Sequence, residues 1–233
     1  MNIPPDMSGP LPGRNFSGFS LIELLAVMGI VAMLAVASTP AIRSLGGAGT
    51  VNKAVADSSR VLELARVYAM ANNTYVRVAL ARIDPQGGRV NPATVVISMC
   101  AANGKLGSDG EMADPAKWPL INKPLILDNF VVDDELNASL PDTSADVTPA
   151  GKNRSGEAIA AASRRVPGLS AEVTFSSFIQ ISPSGESRVA KDEPARNIKV
   201  AIDQSAGATK NPFILRLSGA NGTVSILRKD DGI

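Results

Sequence analysis

Residues 18–43 read GFSLIELLAVMGIVAMLAVASTPAIR, and this stretch decides how the rest of the chain is organised. From Leu24 to Ile42 there is no charged residue across 19 positions, which as helix is about 28 Å at ~1.5 Å per residue. A bilayer hydrocarbon core is about 30 Å thick, so a membrane-spanning helix over residues 21–42 is the direct physical reading. One acid, Glu23, sits at its start. A carboxylate in a membrane helix costs about 3 kcal/mol on insertion scales. Between Phe19 and Ile42 there are eleven Phe, Leu, Ile and Val residues. Each contributes about −0.3 to −0.6 kcal/mol, and their sum outweighs the acid. The segment inserts despite Glu23, but an intramembrane carboxylate calls for a partner and a role.

The 17 residues before Gly18, MNIPPDMSGPLPGRNFS, are polar and rich in Pro and Gly. Gly18 has no side chain, so extended backbone there fits a narrow protease cleft. Cleavage after Gly18 creates a cationic amine on Phe19, four residues from Glu23 and about one helical turn away. In low dielectric a lone amine or a lone carboxylate is costly, whereas a pair is tolerable. An ammonium within reach of Glu23 would therefore make that carboxylate tolerable in the membrane. The plainer alternative is that Glu23 snorkels to the interface near the helix end.

Gly18-Phe19-Ser20-Leu21-Ile22-Glu23, followed by the long apolar run, resembles the processing site of type IV prepilins and the pseudopilins of type II secretion. The Gly, the aromatic, the spacing to the acid and the apolar run occur together. The resemblance implies a leader peptide over residues 1–18, cut after Gly18 by a membrane-embedded prepilin peptidase on the cytoplasmic side. It implies N-methylation of the new first residue, Phe19, and makes Glu23 the family's assembly acid. Pro40 matches a common family position at which the helix kinks. The implied partners are the prepilin peptidase, other pilin or pseudopilin subunits, an inner-membrane assembly platform and membrane lipid. The implied location is the inner membrane, single-pass, with the head in the periplasm before filament assembly. Family leaders are usually basic; this one carries Arg14 and the amino terminus against Asp6. A competing reading is an ordinary secretory signal peptide cut near Ala37, since Ala35-Val36-Ala37 has the small-residue pattern. Against it stand a long, weakly charged start and Glu23 itself.

Downstream, Val61, Leu62, Ala65, Tyr68 and Ala69 fall on one helical face. An N-terminal helix over 19–73 therefore packs onto a sheet, loosened near Gly46, Gly47 and Gly49 and ended by Asn72-Asn73. Strand patterns follow at Tyr75–Ile83, Val95–Cys100, Leu125–Val132, Ala171–Ile181 and Asn197–Ile202, with a terminal hairpin Phe213–Leu217 and Thr223–Arg228. Residues 136–156 read as an exposed loop and Glu157–Arg165 as a short helix. The fold class is α+β: one long helix, its first half membrane-spanning, against an antiparallel sheet head over 74–233, with a long loop region over 101–170. The order LELARVYAMANNTYVRVAL, a strand ending in ISPSGE, and the hairpin LRLSGANGTVSIL resemble the H-type minor pseudopilins in layout. Residues 101–170 exceed what that simple head needs.

The composition excludes several functions. The chain has no His and one Cys, so Ser-His-Asp and Cys-His catalysis, His-ligated zinc and an intrachain disulfide are out. Cys100 reads as a small buried hydrophobe. The formal charge of +1, from 23 basic and 22 acidic residues, offers no clustered basic field for nucleic acid. Asp133-Asp134-Glu135 and Asp230-Asp231 read as solvated surface, so no metal or other cofactor is expected. Three roles stay open: a structural pilin-like subunit, a secreted β-rich binding module, and a membrane-anchored enzyme using Ser, Lys or acids. The Glu23 motif favours the first.

Overall fold

Helix α1 (Leu21–Ala71) is the first element, 51 residues long and assigned without a break through the glycines near residue 47. A computed structural model describes residues 20–85, 91–106, 109–132, 147–150, 161–189, 196–205 and 212–228; the side chains of residues 37–48, 109–110 and 147–149 are outside the described set. The chain divides into two compact units, Met1–Gly49 and Thr50–Ile233. The division falls in the glycine-rich stretch where the sequence predicts a loosened helix.

In the second unit, α1 buries Val51, Ala54, Val55, Val61, Leu62, Ala65 and Ala69 along one stripe. Ala65 and Ala69 are fully buried; with no side chain beyond Cβ they let strands approach the helix axis closely. The helix ends at the expected place. Asn73 adopts φ +49°, and the Thr74 N–H reaches back to the Ala69 carbonyl at 3.1 Å, the left-handed C-terminal cap that Asn tolerates.

Among the described residues twelve strands follow: β1 (Val76–Ile83), β2 (Ala93–Cys100), β3 (Leu125–Asp128), β4 (Phe130–Val132), β5 (Val147–Pro149), β6 (Ala162–Arg165), β7 (Glu172–Phe175), β8 (Ser177–Ile181), β9 (Ser187–Arg188), β10 (Asn197–Gln204), β11 (Phe213–Ser218) and β12 (Val224–Arg228). They form two five-stranded sheets and a hairpin. Sheet 1 runs β3-β2-β1-β8-β9; sheet 2 runs β12-β11-β10-β4, with β5 alongside β10; β6 and β7 pair alone. All pairings are antiparallel except β5 with β10.

Several expectations change. The predicted single strand at 125–132 is two, because Asn129 takes φ +67°; β3 pairs with β2 in sheet 1 and β4 with β10 in sheet 2. The predicted strand at 171–181 is also two, parted at Ser176, with β7 on β6 and β8 on β1. The short helix expected at 157–165 is strand β6 over 162–165; 157–160 lie outside the described residues. Its burial alternates residue by residue, the period of a strand rather than a helix. Within the stretch read as exposed loop, β5 pairs with β10 and Ala150 is buried.

One core joins the α1 stripe to both sheets through residues such as Val78, Ile179, Val200 and Leu215. A second core lies on the other face of sheet 1, where Ala79, Ile97, Met99 and Phe178 meet Met112, Trp118, Val166, Val173 and Phe175. Most of that covering layer comes from residues 101–175, so much of the extra chain over 101–170 closes the second face of the sheet.

Two turns lock against α1. A Cβ placed on Gly222 would stand 2.6 Å from the Gly185 carbonyl oxygen and 3.1 Å from Arg66 Cδ, at φ +65°. Gly168 has φ +87° but open space around it. Gly222→Ala is expected to destabilise by about 2–4 kcal/mol, combining backbone strain with overpacking, and Gly168→Ala by about 1 kcal/mol. Denaturant midpoints of the detergent-solubilised chain, read from Trp118 fluorescence, check the ranking.

Candidate functional site

The start of α1 is set by one serine. Ser20 Oγ accepts a hydrogen bond from the Glu23 N–H at 3.2 Å. The Ser20 carbonyl accepts from the N–H groups of Glu23 and Leu24 at 3.1 Å each. Ser20 is thus the N-cap and Glu23 the third helical residue. The carboxylate of Glu23 is exposed and makes no hydrogen bond or ion pair among the described residues. It lies in the first turn, where negative charge is favoured by the helix dipole. The sequence reading passes over Ser20; the signal that finds it is the Ser-x-x-Glu spacing before an apolar run.

Beyond Glu23 the helix is apolar on every side. Leu21, Ile22, Leu24, Leu25, Val27 and Met28 are between 53% and 81% exposed, and the pattern continues to Val36. An amphipathic surface helix would show one apolar stripe; a helix apolar all round belongs inside something. Among the described residues no helix is long and apolar enough to cross a membrane. The described side chains of this run stop at Val36, 16 residues from Leu21 and about 24 Å of helix. The predicted processing residues Gly18 and Phe19 lie outside the described residues, as does the side chain of Pro40. The structure therefore describes Glu23 alone of the four predicted site residues with its side chain.

The head carries polar features of another kind. Asp133, Asp134, Glu135, Asp230 and Asp231 lie outside the described residues, and no group of three or more potential metal ligands occurs among those described. A cleft of about 310 Å³ opens beside Arg82, Asp84, Ser170, Glu172 and Thr174. Its Arg82–Asp84 ion pair, 3.1 Å long, is well exposed and adds little. Cys100 is buried, with Sγ 3.9 Å from the Tyr68 hydroxyl and from the Pro119 carbonyl. That agrees with its reading as a small hydrophobe. The contact raises the Tyr68 pKa above its usual value, first through the Cys100 hydrogen bond and then its charge.

The second core holds two buried guanidiniums. Arg77 packs over the Trp118 ring, 4.8 Å from its centroid, and bonds Gln180 Oε1 at 3.2 Å. Arg164 Nη1 donates to the Trp118 carbonyl at 2.5 Å. Burial pushes the Arg164 pKa down, opposed by the charge of Asp114. The cation–π contact of Arg77 ties the covering layer to β1, and the Arg164 hydrogen bond to the Trp118 carbonyl joins two parts of that layer. Nothing in the alternation of YVRVAL announces this, because an arginine facing away from one core reads as facing water.

A model of the prokaryotic N-terminal methylation motif family matches residues 13–39. The match contains Gly18, Phe19, Ser20 and Glu23 and stops one residue before Pro40. No curated protein and no solved structure matches the chain. The motif supports a pilin-like or pseudopilin-like precursor, handled by prepilin peptidase and assembled with other pilin subunits. It implies a membrane-anchored N-terminus, and proteins that carry the motif in pilin-like families are structural subunits.

Arg164→Ala is expected to destabilise the head by about 2–3 kcal/mol, since it empties packed volume and strips the Trp118 carbonyl of a partner. Arg164→Met is expected to cost about 1 kcal/mol less than Arg164→Ala, because it keeps the packed volume while it too takes the donor from the Trp118 carbonyl. Equal losses in a denaturant titration would contradict this account of the second core.

Proposed function

We propose that this chain is the precursor of a minor pseudopilin, cut between Gly18 and Phe19, N-methylated on Phe19, and built into a type II secretion pseudopilus or a type IV pilus. The observation that carries the reading is a helix apolar on every side from Leu21 to Val36, exposed along its length, with one carboxylate in its first turn, behind a matched methylation motif.

In the precursor, helix residues 21–42 span the inner membrane with the leader in the cytoplasm and the head in the periplasm. Pro40 allows the helix to bend there. An assembly platform extracts the processed subunit. Extraction becomes tolerable as neighbouring helices replace lipid around the apolar surface. Glu23 of the incoming subunit pairs with the methylated Phe19 amine of its neighbour and sets register. The head stays at the filament surface, and its role is assembly rather than catalysis. The order of elements in the sequence resembles that of H-type minor pseudopilins, and both filaments draw on the same processed, helix-anchored subunit. The reading from another class is a β-rich binding module released by cleavage near Ala37.

Mass spectrometry of the mature chain from its native host separates these. N-methylated Phe19 at the N-terminus is the expected result; a chain beginning at Ser38 would establish the released module instead. Glu23→Leu is expected to leave cleavage largely intact and to abolish incorporation into sheared filaments. Normal recovery of that variant with filaments would remove the pairing.

A further inference from the structure

Both faces of sheet 1 are covered, one by α1 and one by the layer around Trp118, so what the sheet has left to offer a partner is an edge. One edge opens part-way along β1. Strand β8 pairs with β1 from Ile181 opposite Val76 to Ser177 opposite Leu80, and goes no further. At Ser176 the chain parts from the sheet: β7 pairs with β6, and its Val173 and Phe175 enter the second core. Strand β1 runs on to Ile83 against β2 alone, with Ala81, Arg82 and Ile83 opposite Val95, Thr94 and Ala93.

Two hydrogen bonds fix which way the backbone groups of β1 point. The Ala101 N–H donates to the Tyr75 carbonyl at 2.9 Å, so odd-numbered residues of β1 turn their N–H and C=O toward β2. The Ile121 N–H donates to the Ser98 carbonyl at 2.9 Å, so even-numbered residues of β2 face away from β1. Even-numbered residues of β1 therefore face β8, where Val76, Val78 and Leu80 meet Ile181, Ile179 and Ser177. Arg82 is next in that series, and among the described residues no strand pairs with it on that side.

The cleft of about 310 Å³ opens at this point, with Arg82 to Asp84 on one wall and Gly168 to Thr174 on the other. Its volume falls at the lower end of the ~300–1,000 Å³ of ligand clefts. The wall from Arg82 to Asp84 is about 7 Å long at ~3.4 Å per residue, room for a short stretch of added strand. Arg82 and Asp84 neutralise each other across 3.1 Å. The charge left over in the lining is Glu172, exposed and without an ion pair among the described residues. Arg165, its exposed cross-strand neighbour, makes none with it.

We propose that this cleft takes an extended peptide segment bearing a basic side chain. The segment adds to the open edge of β1 at Arg82 through main-chain hydrogen bonds, and its Lys or Arg side chain meets Glu172. A free strand edge accepts extended backbone of any sequence; the carboxylate selects the charge. Neither the leader nor the apolar helix takes part, so the inference stands apart from the precursor reading above.

The test uses the full chain in detergent and a fluorescein-labelled peptide, Thr-Val-Lys-Val-Thr, titrated by fluorescence anisotropy. The expected dissociation constant is below about 1 mM. The same peptide with N-methylated valine amides keeps its side chains and loses donors; it is expected to bind about fivefold more weakly, the scale of one hydrogen bond. The peptide with Glu in place of Lys is expected to bind about threefold more weakly, the scale of one exposed ion pair. Glu172→Gln is expected to remove the preference for Lys and to keep the N-methyl effect. In hydrogen exchange the Arg82 amide is expected to be fast in the chain alone and slowed by the Lys peptide. A dissociation constant above about 1 mM would overturn the proposal. So would an N-methylated peptide as tight as the parent peptide, a preference for Lys that is absent from the parent chain or survives Glu172→Gln, or an Arg82 amide already protected without peptide.

Discussion

Apolar helix surface is stable in water only where something covers it, and α1 presents such surface in two different ways along its length. Over residues 50–71 the cover is internal: a stripe with Ala54, Ala65 and Ala69 at its centre lies in a core shared with both sheets. Over Leu21–Val36 eleven large apolar side chains are exposed. At about 2 kcal/mol for each side chain removed from water, covering them is worth on the order of 20 kcal/mol. That exceeds the ~5–15 kcal/mol by which a whole domain is usually stable. The location of this protein is therefore decided by those sixteen residues, and the head follows them.

Against a term of that size the single acid looks minor, yet it decides something the apolar residues leave open. Exchanging lipid for neighbouring helices replaces one apolar surface by another, so the large terms nearly cancel. Apolar helices also slide past one another with little change in energy. A carboxylate does not cancel, because lipid offers it no partner and an ammonium does. Glu23, exposed and without a hydrogen bond or ion pair among the described residues, is the charged group of that first turn. Register between such helices is open to a small electrostatic term, because the large hydrophobic one is indifferent to it.

The helix and most strands were legible because they are periodic: the 61–69 stripe, the alternation at Val76–Leu80 and the terminal hairpin lie where their patterns put them. The Asn72-Asn73 stop was legible because asparagine tolerates positive φ. What alternation does not encode is partner identity. Residues 125–132 and 171–181 each read as one strand, yet each divides its pairing between two sheets, through Asn129 in the first case and Ser176 in the second. Strand β6 was missed because AAASRR has helical propensity; pairing with β7 overrides it. At the N-terminus, Glu23 announced itself as a charge in the wrong place, whereas Ser20 is an ordinary residue whose role lies in its spacing to that charge.

The second core changes what the head can offer a partner. A sheet packed on one helix alone would leave its other face open, and Arg77 would stand in water there. Instead Arg77 lies under Trp118, bonded to Gln180, with Arg164 across Met99. Both faces of sheet 1 are thereby closed, and β1 and β2 are buried along nearly their whole length. Recognition by this part of the head must then use what lies outside those two faces: exposed residues of the covering layer such as Ser163, Arg165 and Thr174, and the open helix face at Leu64 and Val67. The two buried guanidiniums supply directional contacts that an all-apolar interface lacks, holding the added layer in one orientation on the sheet. Met112, Trp118, Val166, Val173 and Phe175 thus belong to a layer of the fold that shares a core with the second face of sheet 1.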